Sequence, residues 1–238
     1  MSAIPAVVGE PRPETPVPVW HTIVVLAVLF AGSVISARVQ GLERINIPGL
    51  SVRLSSYLTV MVEEWLLVWF VWWALRRRGV SIRNLISGVR KIPSRLLEDI
   101  AFAFAFLVGW AVLAFSIAAV LKLTPPAGAR AVLPKTGIEA LVFFFLACTA
   151  GFSEEFIFRG YLERQFSLWT SSVVAGVVIQ GIAFGLAHGY QGPKFMAIIA
   201  LEGCCLGLMA HWRGSLRTVM IAHAMQDSLA ILAYFTGM

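Results

Sequence analysis

Stretches of mostly apolar residues alternate with short polar links along almost the whole chain. Each stretch has about 20 residues, the length that an α-helix needs to cross a hydrocarbon core about 30 Å thick. Seven such stretches are present, at residues 20–36, 56–75, 100–121, 138–161, 171–188, 195–212 and 216–235. The pattern predicts an all-α, polytopic transmembrane helix bundle of about seven spans, or eight if one segment re-enters the membrane. No internal repeat is visible in the sequence.

The composition agrees with a membrane protein. Only 13% of the 238 residues are charged, whereas a soluble domain carries roughly a quarter. These few charged groups are not enough to cover a water-exposed surface. Lipid must therefore cover much of the protein surface. The net charge of +6 comes from basic residues in the links, where they act as topology signals, and we expect no nucleic-acid partner. The three cysteines, Cys148, Cys204 and Cys205, lie in apolar stretches and are interpreted as small buried hydrophobic residues.

The link at residues 76–99 is rich in arginine, and its apolar residues recur at helical spacing. This pattern is typical of a basic amphipathic helix on an anionic membrane surface, with an ordinary charged loop as the alternative. A cytoplasmic link would place the N-terminus in the cytoplasm too, with twelve of the 19 Lys and Arg residues on that side. We therefore expect an integral protein of a bacterial-type plasma membrane. The Pro-rich residues 1–19 form a polar tail, and 20–137 form an N-terminal group of helices.

Candidate chemistry is concentrated in the C-terminal half. Ionisable groups inside a span cost at least roughly 2.5–3.5 kcal/mol each, so each calls for a pairing or functional explanation. Glu155 and Arg159 are four residues apart, in the favourable order for an ion pair on a helix. Glu154 is rotated by about 100° from Glu155 and is left as the candidate base. A charged cap where the helix leaves the membrane is the alternative interpretation.

Two histidines accompany these carboxylates. His223 and Asp227 are four residues apart, so the carboxylate could fix the imidazole tautomer, or the pair could ligate a metal. His188 follows Phe184 at the end of the fifth predicted span and supplies a second imidazole. A buried histidine by itself is usually a hydrogen-bonded core group, whereas two in the same half of the chain as a free Glu favour a site.

These motifs, in this order, resemble the signature of the CAAX-protease and bacteriocin-processing family, which includes the Ras-converting CAAX endopeptidases. The matching residues are Glu154-Glu155-x-x-x-Arg159, Phe184-x-x-x-His188 and His223-x-x-x-Asp227. The resemblance covers residues 138–238 as a catalytic transmembrane core, and the earlier helices carry no matching motif. The last motif position is most often Asn in that family, and here it is Asp227.

The resemblance implies an intramembrane endopeptidase in which Glu154 activates water and His188 and His223 complete the site. Glu155, Arg159, Phe184 and Asp227 would support them. The histidines would stabilise the oxyanion as donors or by holding a metal. Two histidines and one carboxylate (His188, His223 and Asp227) could hold Zn²⁺, although the HExxH helix of soluble zinc peptidases is absent from the sequence. The expected substrate is a peptide or protein, membrane-associated or lipidated, and lipids surround the protein.

One geometric tension accompanies this prediction. Glu154 is expected near the cytoplasmic end of the fourth span, whereas His188 would lie about 27 Å along the fifth. The two meet only if the fifth span is steeply tilted or begins well above the membrane. Gly176, Gly181 and Gly185 would permit close packing or bending there.

Other ionisable residues in the predicted spans have simpler interpretations. Glu63 and Glu64 are expected to snorkel or to pair internally. Glu202 is either a partner of a site histidine or a protonated core acid. His211 and Arg213 are expected at the membrane interface.

Two other functions remain open at this point. A proton-coupled transporter would use Glu154, Glu155, His188 and His223 as a relay, and it predicts pH-dependent flux without cleavage. A catalytically inactive scaffold or self-immunity protein predicts that function survives the substitution Glu154→Ala. Clustered charge and the absence of a repeat disfavour the transporter.

Overall fold

The computed structural model describes residues 16–38, 47–88, 95–124, 127–232 and 235, and every regular element within these ranges is helical. The α-helices, in chain order, are α1 (Val19–Arg38), α2 (Val52–Arg77), α3 (Ile82–Ser87), α4 (Arg95–Val120), α5 (Ala127–Ala131), α6 (Gly137–Ile157), α7 (Glu163–Thr170), α8 (Val173–Ala187), α9 (Pro193–Arg213) and α10 (Arg217–Ser228). A π-helical turn, Phe158–Leu162, joins α6 to α7, and 3₁₀ turns follow α8 and α10 at Gly189–Gln191 and Leu229–Ile231. The predicted all-α class is confirmed.

Within the described residues, five helical segments are long and apolar enough to cross a membrane. They are Val19–Arg38, Val52–Arg77, Leu96–Val120, Gly137–Thr170 and Pro193–Arg213. Helix α8 is apolar but has only 15 residues, and α10 has 12, which corresponds to about 18 Å. The chain is thus an integral membrane protein, but the prediction of seven or eight full spans is not confirmed.

The fourth predicted span ends later than expected. The helix that begins at Gly137 continues through the π-helical turn and α7 to Thr170, a length of 34 residues. It stops where Ser171 adopts a left-handed conformation (φ 52°) and Ser172 accepts a hydrogen bond from the Ala175 backbone as the N-cap of α8. The predicted end at residue 161 was wrong, because the polar residues after Phe158 are buried inside the bundle instead of marking a membrane exit.

The long α6–α7 helix lies at the centre of the fold. Helices α2 and α10 pack against α6, and α8 packs against α7. Helix α9 pairs with α8, and α4 packs on α10. The core includes the end of α6 and the π-helical turn, whose Phe156, Ile157, Tyr161 and Leu162 are almost fully buried, together with buried residues of α2 and of the surrounding helices. This arrangement brings α6, α8 and α10 together around one region of the bundle.

The outer faces are apolar, as the low charge content predicts. On α4, Phe115 and Val120 are 76% and 79% exposed, which is expected for side chains that contact lipid. Cys148 is also exposed, on α6, so its interpretation as a buried residue was wrong. Cys204 and Cys205 are partly buried and free.

The basic link contains a shorter helix than the sequence predicted. Helix α3 has six residues, and Gly88 ends it with a φ of 73°. Helix α4 already begins at Arg95, so the last five residues of the predicted link are helical and belong to the next span. Residues 89–94 lie outside the described residues. A single amphipathic helix over 76–99 is therefore wrong, and the described part of the link contains the short helix α3.

A buried ion-pair cluster joins α4 to the ends of α9 and α10. Asp99 is 1% exposed, and its Oδ1 accepts hydrogen bonds from Arg213 Nη2 at 2.7 Å and Thr218 Oγ1 at 2.6 Å. Its Oδ2 accepts a hydrogen bond from Arg217 Nε. Arg213, which is predicted at the membrane interface, pairs with Asp99 and contacts Glu98 at 3.6 Å. Both oxygens of the Asp99 carboxylate therefore have partners.

A second polar cluster attaches α1 to the central helix. His21 is buried, and its Nδ1 lies 2.8 Å from the hydroxyl of Tyr161. Thr22 Oγ1 lies 2.7 Å from the same hydroxyl. Gln165 exchanges two hydrogen bonds with the backbone of Val17. These contacts fix α1 beside the π-helical turn.

Candidate active site

Helix α6 supplies a buried ion pair that supports the candidate site. Glu155 is fully buried, and its Oε1 accepts a hydrogen bond from Arg159 Nη1 at 2.8 Å. Arg159 Nη2 also donates to the carbonyl oxygen of Gly203 at 3.3 Å, and the guanidinium lies 4.3 Å from the centre of the Phe184 ring. The cation is thus held by α6, α9 and α8 together, and it compensates the Glu155 charge in a region from which water is excluded.

Helix α10 places His223 against both carboxylates of α6. Its Nδ1 lies 2.7 Å from Glu155 Oε1, and its Nε2 lies 3.8 Å from Glu154 Oε2 and 3.5 Å from Asp227 Oδ2. The short contact at Nδ1 comes from Glu155. Asp227 contacts the other ring nitrogen, Nε2, and its two predicted roles, fixing the tautomer or sharing a metal, both stay predictions. Glu155 therefore joins Arg159 to His223, a link between motifs that the sequence did not reveal.

His188 stands at the C-terminal end of α8 in a defined tautomer. Its Nδ1 lies 2.8 Å from the carbonyl oxygen of Phe184, which can only accept a hydrogen bond, so Nδ1 carries the proton. Its Nε2 lies 3.8 Å from Glu154 Oε2. Phe184 thus contributes its backbone to His188, while its ring packs against the imidazole with centroids 4.7 Å apart.

The three predicted residues Glu154, His188 and His223 therefore meet at one carboxylate oxygen. Within the described part of the chain, Glu154 Oε2 is buried and has no hydrogen-bond partner. Its distance of 3.8 Å to each imidazole Nε2 exceeds a direct hydrogen bond and fits one bridging oxygen atom.

The length of the central helix explains how these residues meet. Glu154 lies 16 residues before Thr170, or about 24 Å along the helix. His188 lies 15 residues after the start of α8 at Val173, or about 22 Å in the opposite direction. The α6–α7 helix and α8 run in opposite directions from the turn that joins them. Glu154 and His188 therefore lie at similar distances from that turn. The expected position of Glu154 near a helix end was wrong, and no steep tilt is needed.

Glycines allow the helices that carry the site to approach closely. A Cβ at Gly151 would lie 2.7 Å from both the Cβ and the backbone nitrogen of Ala224, the neighbour of His223. A Cβ at Gly185 would lie 2.3 Å from the carbonyl oxygen of Met196, and one at Gly181 would lie 2.4 Å from Cys204 Sγ. The close packing of α8 on α9 that the glycines predicted is present, together with a second close approach between α6 and α10.

A cavity of about 550 Å³ opens beside the three residues. Its wall includes Glu154, His188, His223 and Asp227 from the predicted site, together with side chains of α1, α2 and α9. Apolar residues such as Leu29, Leu67 and Phe143 line much of it. The cavity therefore depends on the N-terminal helices, which carry no motif that the sequence analysis could match.

Two groups from those helices contact residues that neighbour the site residues in the chain. Glu64 Oε2 on α2 lies 2.8 Å from Ser153 Oγ, next to Glu154. On α1, Ser33 Oγ donates to the carbonyl oxygen of Leu186 at 2.6 Å and accepts from the Gly189 backbone N–H at 2.9 Å, on either side of His188. The sequence marks Glu64 as an ionisable residue within a predicted span but does not connect it with the site, and Ser33 has no signal.

Glu202 on α9 also lines the cavity, and the Gln226 side chain hydrogen-bonds to its carboxylate. The two interpretations of Glu202, as a partner of the site or as a core acid, both remain predictions.

The possible Zn²⁺ site at His188, His223 and Asp227 stays a prediction. Among the described residues, no three His, Cys, Asp or Glu side chains converge on a position that could hold a metal ion. His223 Nδ1 is hydrogen-bonded to Glu155, and His188 Nδ1 to Phe184, so only the two Nε2 atoms face the cavity. We therefore derive no catalytic step through a metal.

Comparison with known proteins agrees with the resemblance that the motifs indicated. Residues 136–229 match the family described as "Type II CAAX prenyl endopeptidase Rce1-like". The chain is 29% identical over 102 residues to "Uncharacterized protein YpbD" of Bacillus subtilis (strain 168). The aligned region covers 42% of this chain and 48% of that protein, so the chain spans about half the length of that curated relative. No solved structure matches the chain significantly. The predicted family resemblance is confirmed for the C-terminal part of the chain.

Proposed function

We propose that this protein is an intramembrane endopeptidase in which Glu154 activates a water molecule and two histidines assist. The observation that carries the proposal is the position of Glu154 Oε2, 3.8 Å from the Nε2 atoms of both His188 and His223, at the wall of the cavity. These residues lie within the segment that matches the endopeptidase family.

The reaction follows from the positions of these groups. Glu154 accepts a proton from water, and the hydroxide forms a bond to the carbonyl carbon of the peptide. The carbonyl oxygen gains the negative charge. Glu154 then returns its proton to the leaving nitrogen as the C–N bond breaks, which yields a carboxylic acid and an amine. Low dielectric around the site strengthens each of these electrostatic interactions.

His223 is the better candidate for stabilising the oxyanion. Carboxylates of Glu154, Glu155 and Asp227 surround it, within 3.8 Å of its ring nitrogens, which favours a protonated imidazole that donates from Nε2. His188 has its proton on Nδ1, so its Nε2 accepts a hydrogen bond from the water and orients it towards Glu154. The two histidines therefore have different roles.

The substrate that we propose is a segment of a membrane-associated peptide or protein, with lipidated proteins included. The cavity combines apolar walls from α1, α2 and α6 with one polar region at the three site residues. Such a cavity suits an apolar stretch of chain with its peptide bond presented to Glu154.

We also propose that the N-terminus and the basic link face the cytoplasm. Basic residues at both ends of the link support this orientation, and Arg76 and Arg77 lie over the rings of Trp72 and Trp73 as groups at a membrane interface do. Labelling of single cysteines introduced at Arg78 and Lys122 with an impermeant reagent in intact cells tests it. Only the second should react, and the reverse pattern would contradict the orientation.

Cleavage of a peptide library by the purified protein tests the proposed function. Glu154→Ala and His223→Ala should each lower kcat/KM by at least about 100-fold. Glu98→Gln, on the exposed start of α4, is a matched control that should retain activity. Cleavage that persists in both site variants would contradict the proposal. Wild-type flux of a solute without cleavage would favour a transporter, and cellular function that survives Glu154→Ala would favour a scaffold.

Addition of a chelator to the same assay tests the metal separately. We expect the wild-type protein to continue cleaving peptides in the presence of the chelator, since the described His, Cys, Asp and Glu side chains do not converge on one ion. Loss of cleavage with recovery on adding Zn²⁺ would show that the site rearranges around a metal.

A further inference from the structure

Glu64 of α2 lies in the cavity although it belongs to neither the matched segment nor the predicted site. Its Oε2 is 2.8 Å from Ser153 Oγ, and the same hydroxyl oxygen is 2.7 Å from the carbonyl oxygen of Thr149. Ser153 is fully buried and directly precedes Glu154 in α6. The contact therefore links α2 to the residue beside the candidate base.

The number of hydrogens available to this contact indicates the protonation state of Glu64. The serine hydroxyl has one hydrogen, and the Thr149 carbonyl oxygen has none to donate. If the hydroxyl donates to Thr149, as serines in helices commonly do to the carbonyl four residues earlier, the short contact to Glu64 needs a second hydrogen. Only the Glu64 carboxyl can supply it. Both contacts are fully satisfied when Glu64 is a neutral carboxylic acid that donates to Ser153.

The charges around Glu64 favour the same state. From α6 it interacts electrostatically with Glu154, and from α10 with His223 and Asp227. Its own helix adds Glu63 at the cavity wall. Ionised carboxylates that share a cavity of low dielectric repel one another, so a proton on Glu64 removes one negative charge from this group.

We propose that Glu64 is a positioning residue for the Glu154 chemistry, a neutral acid that donates to Ser153 and so fixes the residue next to the candidate base. This inference rests on the proposed function, and it extends the site to a helix outside the family match.

Substitution of Glu64 separates this role from other roles of a carboxylate. Glu64→Gln keeps a neutral donor for Ser153, so kcat should stay within about threefold of wild type, whereas Glu64→Leu loses the hydrogen bond and should lower kcat at least about tenfold. KM should change little in both variants. Equal loss in Glu64→Gln and Glu64→Leu would overturn the proposal, because it would show that the charge or the proton transfer of Glu64 is required. Full activity in Glu64→Leu would overturn it too.

An infrared difference spectrum tests the protonation state without relying on activity. The spectrum of wild type minus Glu64→Gln at neutral pH should contain the C=O stretching band of a carboxylic acid, and Ser153→Ala should shift that band. Wild type minus Glu98→Gln, the control for an exposed carboxylate, should show a carboxylate band instead. A carboxylate band for Glu64 would contradict the proposal even if Glu64→Leu fails to fold. If Glu154→Ala retains cleavage, the proposed function fails, whereas the infrared result still reports on Glu64.

Discussion

Two buried groups of charged residues lie in this bundle, and they differ in how their carboxylates are satisfied. At the Asp99 cluster, both carboxylate oxygens accept hydrogen bonds, from Arg213, Arg217 and Thr218. At the candidate site, Glu154 Oε2 faces two imidazoles at 3.8 Å and, within the described residues, has no hydrogen-bond partner. The first cluster joins helix ends, whereas the second borders a cavity.

The difference shows why an embedded charge alone does not identify a site. Both groups are costly to place in a membrane protein, and sequence hydropathy treats them alike. The Asp99 carboxylate is buried and accepts three hydrogen bonds from protein groups, so we assign it a structural role. A carboxylate with an open acceptor position beside a cavity can take up a proton. The Asp99 cluster should therefore affect stability, and the Glu154 group should affect cleavage.

The largest expected effect on stability is at Asp99. Asp99→Ala should lower the free energy of unfolding by about 3 kcal/mol, because it removes the buried carboxylate that pairs with both Arg213 and Arg217. Thermal unfolding in detergent measures this, and cleavage per folded molecule should stay near that of wild type. If Asp99→Ala left stability unchanged but abolished cleavage, Asp99 would be part of the site. That result would contradict the distinction between a structural Asp99 cluster and a functional Glu154 group.

A smaller effect is expected at Glu155, which belongs to both kinds of group. Its Oε1 pairs with Arg159 and also contacts His223 Nδ1. Glu155→Gln should lower kcat about 10- to 100-fold, the usual effect of removing the partner that orients a functional histidine. Steady-state kinetics at saturating peptide measures it. The matched control is Glu163→Gln, another buried carboxylate on the same long helix, which should leave kcat nearly unchanged. An equal loss in Glu163→Gln would mean that any buried charge on this helix matters.

The close approach of α6 and α10 at Gly151 should be sensitive to one methyl group. Gly151→Ala places a Cβ 2.7 Å from the Cβ and the backbone nitrogen of Ala224, which should cost about 1–3 kcal/mol or move α10 away from Glu154. Adding Ala224→Gly removes only the side-chain clash, so the double variant should recover part of the stability and activity. Gly109→Ala is the control, since a Cβ there meets nothing within 4 Å. No effect of Gly151→Ala would argue against this packing.

The smallest effect is expected at Ser33, which supports the backbone on both sides of His188. Ser33→Ala removes one hydrogen bond to Leu186 and one from Gly189, with an expected loss of about 1 kcal/mol in stability. If the backbone shift reaches His188, kcat should fall several-fold while KM is kept. A matched control is Ser116→Ala, whose hydroxyl donates to the Val112 carbonyl oxygen of the same helix. Equal changes in stability and kcat for Ser33→Ala and Ser116→Ala would show that Ser33 does not support the site.

The sequence predicted the class of fold and the members of the candidate site for physical reasons that can be named. Apolar stretches of membrane-spanning length require helices, since backbone groups in lipid must be satisfied within the segment. The spacing of Glu155 and Arg159 required a shared face, and the ion pair is present at 2.8 Å. The roles assigned to Glu154, His188 and His223 remain predictions, although the structure brings these side chains together.

What the sequence missed depends on tertiary contacts and on helix ends. The continuation of α6 into α7 was missed because Arg159, Glu163 and Gln165 suggest a membrane exit, whereas all three are buried against neighbouring helices. The contact of Glu155 with His223 joins residues 68 positions apart. Ser33 and Glu64 reach the site from helices without a motif, and only the packed structure shows their contacts.

The most direct test of the central claim is a double-mutant cycle on cleavage, with Glu154→Gln, His223→Ala and the combined variant. When two residues act together on one water, the effects of their substitutions on kcat/KM are strongly non-additive. The double variant should therefore be no more than a few-fold less active than the less active of the two single variants. Losses in kcat/KM that multiply in the double variant would show that Glu154 and His223 act independently, and would contradict the account.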